Sequence, residues 1–238
     1  MTTGTLLLNK AHYPVTTLGP GVRAGIWVQG CTIACRGCIA VDTWPADPDR
    51  AVPVEAVLDW ARRLARSGPV DGVTISGGEP FQQPEALTSL LDGLAAWRTE
   101  RSRTGADAGG GRRVVPDFLV YSGYPIATLR RDHAALLARC DAVVAGPYVE
   151  RRNTGTGLRW RGSTNQRIVA LTPLGEQRYA NANANQAGDQ RREAPVLQVA
   201  VEADRAWLIG IPRRGDLERL DARLRAAGIE SRAASWRP

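Results

Sequence analysis

Gly72-Val73-Thr74-Ile75-Ser76-Gly77-Gly78 is a β-branched run that stops on paired glycines. Just upstream, Val54, Val57, Leu58, Ala61, Leu64 and Ala65 recur at helical spacing, so the chain reads helix, then strand. Working outward, the same alternation repeats. Arg23 to Gln29 is a short β-prone run that stops at Gly30. Leu87, Leu90, Leu91 and Leu94 mark a second amphipathic helix with Pro84 near its start, and Val114 to Tyr121 reads as a strand. Pro125 opens a third helix through Leu137, and Ala142-Val143-Val144-Ala145 is a strand before the turn Gly146-Pro147. This order predicts an α/β fold with parallel strands joined by right-handed crossovers and functional residues at the carboxyl ends of the strands. So few strand–helix units predict a partial (β/α) barrel.

Two stretches lack periodicity: Thr99 to Arg113, rich in glycine, and Gly175 to Ala194, with its Ala-Asn alternation; both read as mobile surface loops. Beyond the second, Val196 to Val201 and Ala206 to Ile211 flank Glu202-Ala203-Asp204-Arg205 as a β-hairpin, and Leu217, Leu220 and Leu224 stripe a helix ended by Gly228. The expected organisation is a main domain over 1–174, a linker over 175–194 and a small C-terminal β-hairpin and helix extension over 195–238.

The 238 residues are 43% hydrophobic and 23% charged, a composition of folded globular proteins rather than disordered or collagen-like chains. No apolar run reaches the roughly 20 residues that cross a bilayer, and Met1 to Leu18 lacks the layout of a signal peptide, so a cytoplasmic protein with no membrane partner is expected. The net charge of +7 is almost all arginine, Lys10 being the only lysine. It fits either a solvated basic surface or a face for an acidic partner. No helix-turn-helix, zinc-finger or RNA-binding motif is present, and nucleic acid is not expected as a partner.

Cys31, Cys35 and Cys38 fall within eight residues, in Cys31-Thr32-Ile33-Ala34-Cys35-Arg36-Gly37-Cys38, just past the first predicted strand; Cys140 stands alone. That spacing is a metal site rather than a disulfide framework, and such dense thiolates suit zinc or an iron–sulfur cluster. Cys140 precedes its strand while Cys31 follows one, which puts them at opposite ends of a parallel sheet, roughly 17–20 Å apart. His12 and His133 have no ligand spacing to another candidate. Three thiolates with the fourth position open read as a catalytic cluster.

The cysteine pattern after a strand, followed by Gly77-Gly78-Glu79-Pro80 at the end of the next, resembles the radical S-adenosylmethionine superfamily. Gly19-Pro20-Gly21-x-Arg23, Cys31 to Trp44, Thr74 to Pro80, Tyr121-Ser122-Gly123-Tyr124, Gly146-Pro147-Tyr148 and Arg161-Gly162-Ser163-Thr164-Asn165-Gln166-Arg167 together resemble the activating proteins of anaerobic ribonucleotide reductases, over roughly residues 6 to 173. The chain departs from that pattern at Ile39-Ala40 and in its tail after Gly175.

The resemblance implies a 4Fe–4S cluster on Cys31, Cys35 and Cys38 and S-adenosyl-L-methionine held by Gly77, Gly78, Glu79 and Pro80, with no catalytic residue beyond the cluster. It implies an oxidoreductase that reductively cleaves its cofactor to a 5′-deoxyadenosyl radical and activates a glycyl radical enzyme. Ser122 and Gly123 would lie near the nucleoside or methionyl part of the cofactor, or else form an ordinary strand-to-helix turn before Pro125. Gly19-Pro20-Gly21 and Gly146 to Gln166 would frame the entrance for the partner. Flavodoxin or ferredoxin is the expected electron donor, with Arg151-Arg152 nearest the mouth. Two other readings stand beside this one: a radical enzyme acting on a small molecule or peptide, and a non-enzymatic iron–sulfur redox module.

Overall fold

Arg23–Val28 forms strand β2 and Gly72–Gly77 forms β4 beside it in parallel register, with Ile26 opposite Ile75 and Val28 opposite Gly77. The structure is a computed structural model that describes residues 4–104, 114–154, 158–182, 197–202, 205–229 and 233–236. β5 (Asp117–Ser122) continues the sheet parallel to β4, and β6 (Ala142–Ala145) parallel to β5. Their carboxyl ends therefore share one side of the sheet.

Antiparallel strands flank this parallel centre. β1 (Thr5–Val15) runs against β2, β3 (Ala51–Pro53) against β1, and β7 (Arg167–Ala170) against β6. The order is β3-β1-β2-β4-β5-β6-β7, with β3 and β7 at the two edges, a partial barrel that does not close. The strand at Arg23 is thus second in the chain, not first. β1 evades a periodicity reading because Asn9, Lys10 and His12 interrupt its apolar residues and much of it is only half buried.

One face of the sheet carries the helices. α1 (Val54–Ser67) buries Val54, Val57, Leu58 and Ala61, the residues whose spacing predicted it, and α2 (Pro84–Thr104) buries Leu87, Leu90, Leu91 and Leu94. They cover Ala24, Ile26, Val28, Val73, Ile75, Phe118 and Val120 in one core cluster, in which each large aliphatic side chain stabilises the fold by roughly 1.5–3 kcal/mol. α2 runs through Thr99 to Thr104, which sequence alone put in a loop; 105–113 lie outside the described residues. The helix expected from Pro125 to Leu137 is broken at His133 into α3 (Ile126–Asp132) and α4 (Ala134–Leu137).

The opposite face is inner. Leu119, Ala142 and Val144 pack there with Trp160, Ile168 and Tyr179. Tyr179 belongs to α5 (Pro173–Tyr179), whose Pro173 and capping Thr172 start a helix where a linker was expected to begin; 183–194 of that linker lie outside the described residues. The predicted hairpin forms from β8 (Leu197–Glu202) and β9 (Arg205–Gly210), and α6 (Asp216–Ala226) follows, with Gly228 at φ +72 beyond its end. Ile209 of β9 is buried against Val15 and Leu18, and the Thr17 hydroxyl donates to the Ile209 carbonyl at 2.9 Å, so the hairpin is packed onto β1 and the loop after it. No helix among the described residues is long and apolar enough to cross a membrane.

Candidate active site

At the end of β2 the chain turns through Gly30 into the cysteine loop, and at the end of β4 it turns through Gly77 and Gly78. The two turns are hydrogen-bonded to each other: Gly78 N donates to Val28 O at 2.8 Å and Glu79 N to Gly30 O at 2.9 Å. Gly77 has φ +100, and a Cβ on Gly78 would run into the Gly30 carbonyl. Only glycine lets these backbones meet, one residue before Cys31.

Glu79 ties in a third turn. Its carboxylate, 1% exposed, accepts from Phe81 N at 3.1 Å, from the Ser122 hydroxyl at 3.0 Å and from Gly123 N at 2.7 Å. Burial pushes its pKa up to about 7, although those three donors each act to lower it. Ser122 and Gly123, at the end of β5, thus hold the glutamate of the Gly-Gly-Glu-Pro turn, a coupling that sequence spacing does not reveal. Tyr124 N also donates to Ser122 Oγ at 3.0 Å, so the strand-to-helix turn is built by the same hydroxyl.

The cysteine loop leans on all three turns. Gln82 Oε1 accepts from Thr32 N at 3.0 Å, and its Nε2 donates to Thr32 Oγ1 at 2.6 Å and to the Tyr124 hydroxyl at 2.9 Å. Ile33 Cδ1 lies over Gly123, 2.6 Å from where a Cβ would stand. Cys31, Cys35 and Cys38 are each partly exposed and free of disulfide bonds. The Cys35 sulfur accepts from the Tyr148 amide, and Cys38 from the Ala40 amide at 3.4 Å and from the Trp44 side chain. Burial first, then the neighbouring thiols, pushes the Cys35 and Cys38 pKa values up. As they stand the sulfurs are not drawn around one point: among the described residues no three His, Cys, Asp or Glu side chains form a group that could hold a metal ion. Three soft sulfur donors, beside a glycine turn with no side chains in the way, fit an iron–sulfur cluster that leaves room for a further ligand. Cys140 lies outside this group, fully buried just before β6 with its pKa pushed up to about 12 by burial and by Asp141.

A second layer closes over the loop from the end of β6. Glu150 packs against Gly37 and pairs with Arg36 at 3.6 Å. Asn165 Nδ2 donates to Pro147 O at 2.7 Å, Gln166 Nε2 to Gly146 O at 3.1 Å, and Val149 N to Ser163 Oγ at 3.1 Å, which staples the Arg161 to Gln166 motif onto Gly146 to Arg152. The far end of the chain joins in: Ser235 Oγ donates to Ile39 O at 3.0 Å, and Asp42 N to Ser235 O at 3.2 Å. No sequence signal marks that contact, because nearly two hundred positions separate its partners.

Gly19-Pro20-Gly21 lies elsewhere. Gly21 packs against Asp71, and Gly19 against Arg23, which is fully buried at the start of β2. Arg23 forms a two-pronged pair with Asp117 at 2.9 Å and donates to Thr74 Oγ1 at 2.6 Å, while the Tyr179 hydroxyl donates to Asp117 at 2.6 Å. These are the amino ends of β2 and β5. The loop closes the bottom of the partial barrel and cannot frame an entrance at the top; its arginine is a structural plug, in which each charge is costly to bury unless paired as it is here.

The 4Fe–4S single cluster domain family matches residues 17–169 of the chain. The anaerobic ribonucleoside-triphosphate reductase-activating protein of Vibrio cholerae is 29% identical over 167 residues, covering 68% of this chain and 96% of that protein. The protein of the same name from Enterobacteria phage T4 is 28% identical over 156 residues, covering 65% of this chain and 87% of its own length. The pyruvate formate-lyase-activating enzyme of Clostridium pasteurianum is 39% identical over a shorter stretch of 77 residues, 31% of this chain and 32% of that enzyme.

Proposed function

The chain belongs to the 4Fe–4S single cluster domain family, and from that premise we propose that it is a radical S-adenosylmethionine enzyme that activates a glycyl radical enzyme. The observation that carries this reading is the meeting of three elements at the carboxyl ends of β2, β4 and β5: the three-cysteine loop, the Gly-Gly-Glu-Pro turn and the Ser122-Gly123 turn. An electron-transfer module has no use for the second and third.

Cys31, Cys35 and Cys38 would hold the cluster. Gly77 and Gly78 leave backbone open for the methionyl end of the cofactor, and Glu79, held by Ser122 and Gly123, fixes the shape of that turn. When bound, the cluster and S-adenosylmethionine would supply one-electron reductive cleavage chemistry, and with it the capacity to take a hydrogen atom from a glycine of the partner. The residues of this chain bind, orient and shield. The relatives are named for activating a ribonucleotide reductase and a pyruvate formate-lyase, and an anaerobic ribonucleotide reductase is the partner class proposed here. Flavodoxin or ferredoxin is the proposed electron donor, and the main domain, carried past 174 to the end of α5 at Tyr179, the unit that holds the chemistry.

The deciding experiment mixes reconstituted protein, S-adenosylmethionine and reductant with a candidate glycyl radical enzyme. The expected product is a doublet in the electron paramagnetic spectrum that collapses to a singlet when the partner's glycines are deuterated at Cα. Deuterium passing into 5′-deoxyadenosine from a small molecule instead would defeat this reading.

A further inference from the structure

Among the described residues, the buried side-chain polar atoms without a hydrogen-bond partner are Trp160 Nε1, Arg161 Nε and Nη2, Asn165 Oδ1 and Trp207 Nε1. Four of these five fall between Trp160 and Asn165. Arg161 is the notable one, because it is 3% exposed and carries a full charge. Its one side-chain bond runs from Nη1 to the Gln166 carbonyl at 3.3 Å. A buried guanidinium with two donors unused is costly, and folded proteins seldom keep one without a ligand or partner to answer it.

The position is specific. Arg167 pairs with Ala145, the last residue of β6, so the Gln166 carbonyl places the guanidinium at the carboxyl end of that strand. Tyr121, next to last in β5, donates its hydroxyl to Trp160 O at 3.0 Å, which fixes the same loop to the end of β5. Tyr148, whose amide reaches the Cys35 sulfur, lies against Gly162. Arg161 is therefore at the same end of the sheet as the cysteine loop, in the layer that packs on it. Burial and the neighbouring Arg167 both pull its pKa down, as expected where positive charge lacks a counter-ion.

The unused donors name the ligand. Nε and Nη2 form one edge of the guanidinium, the two-pronged edge that matches the two oxygens of a carboxylate. S-adenosylmethionine bears a single anionic group, its methionyl carboxylate. We infer that Arg161 is the counter-ion of that carboxylate, a binding residue on the Arg161 to Gln166 motif that completes the cofactor site from the β6 side. The inference rests on the proposed function, since it takes S-adenosylmethionine as the ligand.

The test compares reconstituted parent, Arg161→Gln and Arg161→Lys, each titrated anaerobically with S-adenosylmethionine and with its decarboxylated analogue, and each melted without ligand. Arg161→Gln is expected to bind S-adenosylmethionine about tenfold or more weakly than the parent while binding the analogue as the parent does, with Arg161→Lys between. Ligand-free Arg161→Gln should melt no lower than the parent, because an unpaired charge has been removed. Equal affinity of parent and Arg161→Gln for S-adenosylmethionine overturns the inference, as does an equal loss for both ligands with a lower melting temperature; either leaves the proposed function standing. A cluster-loaded parent that binds no S-adenosylmethionine overturns both.

Discussion

At the scale of single residues, four cysteines divide into two kinds. Cys31, Cys35 and Cys38 are partly exposed on one loop, whereas Cys140 is fully buried, its sulfur 3.7 Å from the Leu136 carbonyl. Replacing any of the three by Ala should abolish iron binding in reconstituted protein, and Cys140→Ala should keep the full complement; iron analysis and absorption spectra decide, and loss of iron from the Cys140 variant would break the assignment. Glu79 gives a second prediction. Its carboxyl, raised to about 7 in the fold, is protonated in both folded and unfolded chains at low pH and ionised in both above 8. Between its ordinary value and 7 the folded state holds the extra proton, so stability is greatest at low pH and is lost as pH rises through 7, by roughly 3 kcal/mol in all. Melting of ligand-free protein from pH 5.5 to 8 should fall with pH more steeply in the parent than in Glu79→Gln, which cannot ionise. Parallel curves would mean that the carboxyl ionises normally.

At the scale of elements, the hairpin of β8 and β9 behaves as part of the core. Ile209 is 3% exposed against Val15 and Leu18, and truncating such a side chain costs about 2–5 kcal/mol. Ile209→Ala should lower the melting temperature and, at temperatures near it, cofactor cleavage with it; unchanged melting would free the hairpin for a docking role. The elements also show what the sequence discloses. α1 and α2 were legible because each has one face against a single core, which imposes a helical period on its apolar residues, and β2, β4 and β6 were legible as short, buried, β-prone runs, β6 with core on both of its faces. β1 was not, because it lies beside β2 with β3 beyond it and keeps polar residues among its apolar ones. α5 was hidden by Gly175, which reads as a loop residue yet packs against the Asp141 backbone, where a side chain would not fit. The cysteine loop and the two glycine turns could be named from spacing, since their chemistry is local. Their mutual hydrogen bonds, the tail contact at Ser235 and the buried Arg161 depend on residues far apart in the chain, and no local pattern carries them.

At the scale of the whole molecule, the question is whether the net charge of +7 is only composition or a field that guides a partner. Three exposed arginines stand at the cysteine loop or on the segment packed over it. Arg36 sits on it with its side chain 95% exposed, and its contact to Glu150 at 3.6 Å, between exposed groups, is too weak to neutralise it. Arg151 and Arg152 are exposed on the segment that packs over the same loop from the end of β6. A positive surface at that spot lies where an electron donor must approach, since electrons have to reach the proposed cluster through this loop. Steering of this kind acts over the Debye length, about 8 Å at physiological salt and 10 Å at 0.1 M, and fades as salt rises. Reduction by an acidic flavodoxin or ferredoxin should therefore slow as ionic strength increases. Reversing Arg151 and Arg152 to Glu should both slow it at low salt and flatten its salt dependence, with iron content unchanged. Rates indifferent to salt in the parent would assign the arginines to solvation alone; a salt dependence that survives the double reversal would place the donor on a different face of the molecule.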